Sequence, residues 1–337
     1  REVVFEEFRR SQDNPNQYSF QKIQKSCFSG GYAHAILGNE KTIKNFSREQ
    51  LNSFRNKYYN SSNSYLVVAG DMSDKKKILK TIEKYKLPEG KEIERPSFKL
   101  KSKPAIEIHN KDVSMCQLTI TIQSPGADSK FAPAEDLAYA SLGHGESSPL
   151  HKNLVLDGSL ANSCASSTMF FSKGGIHFLR INFPAENYKK ALAKLQKTLT
   201  SIIKDGQTKE DVKKIKNQYV SSKVYEKESL ESYAFSLGSS YAQNKNLESE
   251  NEFIHKVKKT TLKEVNSAYK RIFSRPIHLS LQLPKEQKAL NFKADLEKFQ
   301  KSFAKYTKAK ATEKFKIQKS KFDPNTLTVE LKNGVKL

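Results

Sequence analysis

The sequence predicts an α+β fold in which an antiparallel or mixed sheet is covered by helices. The arrangement is repeated in tandem, with the first unit incomplete. Three observations predict this. Apolar stripes of helical period dominate the chain, short strand-like runs fall between them, and a capped helix followed by a strand occurs twice at one fixed offset. The length, 337 residues, suits about two domains. With 36% apolar and 10% aromatic residues, the composition is that of a chain able to bury a core.

The elements follow in order. Residues 1–12, 18–28 and 48–59 pattern as helices, and Ser47 with Gln50 has the Ser-x-x-Gln form of a capping box, which satisfies free amides at a helix start. The run 65–69 (YLVVA) has the character of a buried strand, and a helix follows over 74–85. Residues 88–104 hold Pro88, Gly90, Pro96 and Pro104 among charges, a linker composition. A second unit then opens with a strand at 116–122 and a helix at 133–142. Two strands, 160–171 and 175–183, are joined across Lys173, Gly174 and Gly175. Tyr188, Leu192, Leu195, Leu199, Ile202 and Ile203 form the stripe of a long helix that Gly206 stops. Val212, Ile215, Tyr219 and Val224 form another. Thr261 with Glu264 repeats the capping box ahead of a helix to Phe273 and a strand at 277–283.

Ser47, Leu51, Tyr58 and Tyr65 lie 214 residues before Thr261, Val265, Ile272 and Leu279, and the same offset sets Ile43 over Val257 and Tyr59 over Phe273. Tandem units of similar build are the economical reading. The expected organisation is therefore 1–87 as the C-terminal part of a first unit, 88–104 as linker, and 105–284 as a second unit. A lysine-rich helical linker at 285–321 and the first strand of a following unit at 322–337 complete it. The stripe Phe292, Leu296, Phe299 and Phe303 reads as a packing surface on the helix that joins one half to the next.

Composition and motifs exclude several functions. The net charge of +23 invites an anionic partner, yet most lysines share helices with acids, as Lys213, Lys214 and Lys216 do with Glu210 and Asp211. The densest basic block holds Lys301, Lys305, Lys308, Lys310, Lys314 and Lys316 without any nucleic-acid signature, so no specific nucleic acid is expected. No run approaches eighteen apolar residues, and the first residues carry no signal-peptide pattern. Cys27, Cys116 and Cys164, with no CxxC, fit neither a disulfide scaffold nor a zinc ribbon and read as small core residues. Nucleophile-elbow and P-loop motifs are absent from the sequence.

A family emerges from the ordered motifs. Residues 1–10 (REVVFEEFRR), Asp13 to Pro15, Phe28 with Tyr32, Ala35 to Gly38, and 43–51 (IKNFSREQL) come first. The Tyr58-Tyr59 pair, 65–71 (YLVVAGD), 142–150 (LGHGESSPL), 160–166 (LANSCAS) and the closing 327–337 (LTVELKNGVKL) follow. Together these resemble the pitrilysin/insulinase-like zinc peptidases over nearly the whole chain. The resemblance implies an inverted zincin in which His-x-x-Glu-His on a helix gives two zinc ligands and a water-polarising glutamate. A later helix supplies a third ligand, which falls at Glu7. A helical wheel agrees: Val3, Val4, Phe5 and Phe8 define an apolar face that Glu7 borders, while Glu6 points away.

The chain departs from the family pattern. It contains no His-x-x-Glu-His, and no two of its histidines (34, 109, 144, 151, 177, 255, 278) are four apart. His144 and His151 flank a loop with Glu146, but seven residues of loop do not enforce ligand geometry, and no metal site is expected there. The family's Arg/Tyr pair, which holds substrate and the oxyanion, corresponds to Val155 and Asn162, and neither can replace it. The resemblance thus implies an internal part of a tandem zinc metalloendopeptidase that cleaves peptides in a chamber between two halves. Zinc belongs to the intact protein, the other half of the parent is a partner, and the zinc helix lies in a preceding segment. This chain alone is expected to be inactive and to bind no zinc tightly. The alternative is a catalytically inactive member serving as a scaffold or peptide-binding subunit. A bacterial periplasmic or secreted home suits the family.

Overall fold

The computed structural model describes residues 1–93, 98–171, 173–288, 290–307, 316–319 and 327–330. The first unit is mainly helical. Helix α1 (Glu2–Asp13) ends where Asn14 and Pro15 break the ladder. Helix α2 (Pro15–Cys27) begins there, its first amides bonded by the Asn14 side chain at 3.0 Å. Strand β1 (Phe28–Gly30) leads to the short helix α3 (Glu40–Asn45) and to α4 (Arg48–Tyr58). Reciprocal capping boxes start both, Asn39 with Thr42 and Ser47 with Gln50. Helix α5 (Lys75–Ile82) follows. The three residues of β2 (Phe98–Leu100), inside the stretch read as linker, pair antiparallel with β1.

Residues 65–69, expected to be a strand, are irregular, with Leu66 and Val68 exposed. An apolar run becomes a strand only where a neighbouring strand takes its backbone hydrogen bonds. Among the described residues none does, and Tyr65 instead sets its ring edge-on to Tyr241 at 5.4 Å. Helix α4 likewise buries no residue, and Leu51 and Phe54 are more than half exposed.

The second unit is a mixed five-stranded sheet. Its strands are β3 (Ile106–Lys111), β4 (Cys116–Ser124), β5 (Ser163–Phe171), β6 (Gly174–Phe183) and β7 (Ile277–Pro284), in the order β3-β7-β4-β6-β5. Only β3 and β7 run parallel; the rest pair antiparallel. Side chains alternate across the sheet. Leu118, Ile120 and Ile122 of β4 meet Leu179, Ile181, Leu279 and Leu281 on one face, and helices cover that face. Those helices are α6 (Ala132–Gly143), the single turn α7 (Pro149–His151) with the π turn Lys152–Leu156, α8 (Tyr188–Asp205) and α9 (Lys209–Glu226). They continue with α11 (Ser249–Lys259), α12 (Leu262–Phe273), α13 (Leu290–Ser302) and α14 (Ala304–Thr307), while α10 (Leu230–Asn244) packs on α11 outside that core. The opposite sheet face is covered by α2.

Most predicted stripes pack as their period requires. All six stripe residues of α8 are buried, and Gly206, at φ +78°, stops the helix in a conformation that favours glycine. The α9 stripe is realised only in its first half: Val212 and Ile215 are buried, but Val224 is 59% exposed because the helix outruns the core. The stripe on α13 departs from its expected setting. Phe292, Leu296, Phe299 and Phe303 are buried in the second unit's own core, where Phe303 stacks on Phe273 at 5.5 Å and the Tyr188 hydroxyl donates to the Phe292 carbonyl at 3.0 Å. This helix is core, not spacer. Beyond it, β8 (Lys316–Lys319) pairs antiparallel with β9 (Leu327–Glu330). Lys308, Lys310, Lys314 and the Asn333-Gly334 turn expected to open a further unit lie outside the described residues.

Candidate functional site

Glu7 sits on α1, whose own packing is slight. Phe5 is buried, with the Arg9 guanidinium 4.4 Å and the Lys44 ammonium 4.8 Å from its ring centre, and Arg1 donates to the Phe46 carbonyl at 2.8 Å. The apolar face expected of this helix is only partly buried, since Val3 is 82% and Val4 36% exposed. Glu6 is engaged by Arg9 at 2.6 Å, whereas among the described residues no ion pair or side-chain hydrogen bond engages the exposed Glu7. An uncommitted carboxylate of this kind is free to take a cation.

The second unit holds α1 directly at Gln12, near the helix end, and also through α2. Lys111 Nζ donates to the Gln12 carbonyl at 2.6 Å, Gln117 Nε2 to Asn16 Oδ1 at 3.4 Å, and Tyr18 lies edge-on to His109 at 5.1 Å. At the other end of the helix, Ile23, Cys27 and Phe28 form a second apolar cluster with Ile176, and Met169 and Phe171 pack against it.

One carboxylate does not make a zinc site, which takes three protein ligands with a fourth position for water. Among the described residues no group of three or more His, Cys, Asp or Glu is placed to hold a metal. His144 is exposed in the loop, and His151, half-buried, ends the turn α7. Val155, in the π turn, packs against the core, and Asn162 is exposed just before β5, where its amide donates to the Asn182 carbonyl at 2.8 Å. Neither offers a cation or phenol to an oxyanion. Cys27, Cys116 and Cys164 are buried thiols, and burial pushes them up, Cys27 to about 12 and the others to about 11, away from nucleophilic use.

The densest ionic chemistry is a cluster that sequence reasoning missed. Glu135, in the first turn of α6, is fully buried. Arg275 grips both its oxygens at 2.6 and 2.8 Å, Arg271 Nε reaches Oε1 at 3.3 Å, and His177 Nε2 lies 3.2 Å from Oε2. Burial alone would raise this carboxyl, but hydrogen bonds from His177 and Arg275 and the charge of Arg275 overcome it and hold it down at about 2. Burial keeps His177 below its ordinary value, against the pull of Glu135; facing a carboxylate, the neutral ring carries its proton on Nε2. Nδ1 then accepts from Thr168 Oγ1 at 2.9 Å, and Tyr139 stacks on the ring at 4.8 Å. Glu135, His177, Thr168, Arg271 and Arg275 are each bonded to another member of this knot, which ties α6 to β6 and α12. Beside it opens a groove of about 1320 Å³ between β5, α9, α10 and α11, lined by Tyr219, Lys223, Ser236, Glu250 and Phe253 among others. Burial raises nearby Asp136 to about 7, with Thr168 and Lys223 pulling the other way.

Comparison with known proteins gives the context. Residues 45–219, just over half the chain, match a family model described as the peptidase M16 inactive domain. An uncharacterized zinc protease of Rickettsia felis is 26% identical over 244 residues, 72% of this chain and 58% of that protein, so the chain spans little more than half of that relative. The uncharacterized zinc protease YmxG of Bacillus subtilis is 25% identical over 296 residues, covering 84% of this chain and 69% of its own length. Among solved structures, a peptidase M16 inactive domain from Pseudomonas fluorescens superposes with a TM-score of 0.70 at 19% identity, over 85% of this chain and 69% of that one. A protease from Helicobacter pylori superposes with a TM-score of 0.73 at 21% identity, over 84% and 71% of the two chains. At these identities the superpositions speak for the fold.

Proposed function

The chain belongs to the M16 peptidase family, and on that premise we propose that it is the non-catalytic part of a zinc-dependent metalloendopeptidase in which Glu7 is the third metal ligand. In this reading a His-x-x-Glu-His helix from outside the chain brings two imidazoles and the water-polarising glutamate. Peptides are the substrate, and the other half of the parent closes the chamber. The residues of this chain do not by themselves fit zinc; they supply one oxygen ligand and the scaffold that holds it. The observation carrying the reading is Glu7, exposed and uncommitted on a helix whose neighbouring acid, Glu6, is already paired. A second reading, a catalytically silent scaffold subunit, is favoured by Val155 and Asn162 standing where active members place the Arg/Tyr pair.

The intact parent protein decides. Purified with zinc, it is expected to retain about one metal per chain and to hydrolyse peptides, and Glu7→Gln is expected to cost most of both while leaving the melting curve of the metal-free protein unchanged, because the side chain is exposed. Metal retention and turnover by the variant at the parental level would remove Glu7 from the site. A parent that binds no zinc at all would favour the scaffold. The 337-residue chain alone is expected to show no stoichiometric tight zinc binding by calorimetry.

A further inference from the structure

The sheet face beneath α2 has the composition of a face that meets water. In register across the strands, His278 stands beside Thr121, and Ser280 beside Thr119 and Glu107. Gln282 stands beside Gln117 and His109, and β6 adds Arg180 and Asn182 to these rows. Such alternation, apolar toward the core and polar on the reverse, belongs to an antiparallel sheet with one wet side. Here the face is covered: Thr119, Thr121, His278, Ser280 and Gln282 are each at most 3% exposed. Thirteen buried side-chain polar atoms among the described residues lack a hydrogen-bond partner, and ten of them lie on this face. They are both ring nitrogens of His109 and of His278, Gln117 Oε1, Thr119 Oγ1, Thr121 Oγ1, Arg180 Nε, Ser280 Oγ and Gln282 Oε1. Covering polar groups without pairing them is unfavourable. Helix α2 meets this face with apolar residues in its C-terminal half, where Ile23 and Cys27 pack with Ile176. Its polar links among the described residues are the Lys111 ammonium 3.8 Å from the Tyr18 ring centre, Lys101 to the Lys25 carbonyl, and one long bond from Gln117 to Asn16.

We propose that α2 is a releasable latch on this face, and that protonation of His109 and His278 drives its release. The charged groups around the two rings favour that response. His109 is faced by Lys22 and Tyr18 from α2, by Lys111 on its own strand and by Gln282 from β7; His278 is faced by Lys101. Glu107, the carboxylate of the face, stands beside Ser280 and bonds neither ring. In the docked state burial holds both rings at about 4, and Lys22 and Lys111 press His109 down while Lys101 presses His278 down. Released into water, each returns to about 6.5. The sign follows: a base whose docked value is depressed binds fewer protons docked than released. Docking is therefore favoured above about pH 6.5 and weakens as pH falls toward 4. From pH 8 to pH 5 each ring shifts the equilibrium about 30-fold toward release, and the two together shift it several hundred-fold. The latch does not depend on Glu7 binding metal.

Hydrogen exchange of the 337-residue chain, corrected for intrinsic rates, tests this at pH 8, 6 and 5. Protection of residues 15–27 is expected to fall several hundred-fold by pH 5 while that of β4 and α12 holds. The double variant His109→Gln, His278→Gln is expected to lose that extra fall. Protection of α2 that stays parallel to that of β4, whether both hold or both collapse, overturns the latch, as does a folded double variant that keeps the pH dependence. NMR titration of the wild-type imidazoles gives a reading that needs no variant. Both rings are expected to stay neutral well below pH 6.5 until α2 protection is lost, and midpoints near 6.5 with α2 still protected overturn the proposal.

Discussion

Replacing Glu135 by Gln is expected to cost the second unit about 3–4 kcal/mol at pH 7. The figure comes from the shift: a carboxyl held at about 2 instead of 4.5 represents some 2.5 units at about 1.4 kcal/mol each. Breaking a buried pair ranges up to about 5 kcal/mol where the partner is left stranded. Here the charged partners are not stranded, because the side chains of Arg275 and Arg271 are 26% and 30% exposed and can turn to water, while the buried, neutral His177 can still donate to the Gln oxygen, so the lower figure decides. Urea unfolding followed by circular dichroism measures the gap between parent and variant. A depressed carboxyl stabilises fully above its unfolded value, and that contribution is lost as pH falls through the folded one. The gap should therefore be constant above about pH 4.5 and narrow toward pH 2. A gap below about 1 kcal/mol at pH 7, or one that does not narrow in acid, would refute the assignment of this cluster as a charged structural knot.

Two further substitutions test the packing. Leu296→Ala on α13, a fully buried position, is expected to lose about 2–5 kcal/mol in the same unfolding assay, whereas a loss under 1 kcal/mol would return this helix to the status of a linker. Gly206→Ala is expected to lower stability by about 1–2 kcal/mol, visible as a lower melting temperature. It forces a Cβ at φ +78° to within 2.5 Å of the Asn266 side chain, which bonds the Gln207 backbone; an unchanged melt would show that the turn relaxes freely.

The sequence made local devices legible and long-range ones not. The capping boxes at Ser47 and Thr261 formed as read, because a cap involves four consecutive residues. Strands β4, β5 and β6 were visible by alternation, and the family was visible from ordered motifs. Residues 65–69 had the composition of a strand, but composition cannot supply the neighbour a strand needs. The α13 stripe was plain in the sequence and its destination was not, since a stripe says only that something covers it. Helices α10 and α11 went unread: Leu230, Phe235 and Leu247 are exposed, so no clean apolar stripe marks the hairpin. Glu135 reads as an ordinary first-turn acid, and its partners His177, Arg271 and Arg275 stand 42, 136 and 140 residues away. Position on a wheel favoured Glu7, yet the structure distinguishes it from Glu6 by something the wheel could not show, namely that Arg9 has already taken Glu6.

A domain with no metal cluster among its described residues still has a physical task under the proposed function. Helix α1 buries only Phe5 and Ser11, too little to fix a ligand to the fraction of an ångström that a metal requires. The helix after it buries Ser19, Ile23 and Cys27; Lys111 of the second unit bonds the Gln12 carbonyl near the end of α1, and Lys101, just before that unit, bonds the Lys25 carbonyl near the end of α2. Glu7 is thus positioned at one remove, by a sheet more than a hundred residues downstream. Substitutions on that sheet would then move Glu7, which they never touch. The polar face under α2 gives the same connection a second use. If α2 leaves in acid, Glu7 leaves with it, and metal retention in the intact protein should then fall over the pH range in which α2 loses protection. Retention that follows instead the protonation of the ligand histidines themselves, unmoved by His109→Gln with His278→Gln, would mean that the second unit supports Glu7 without governing it.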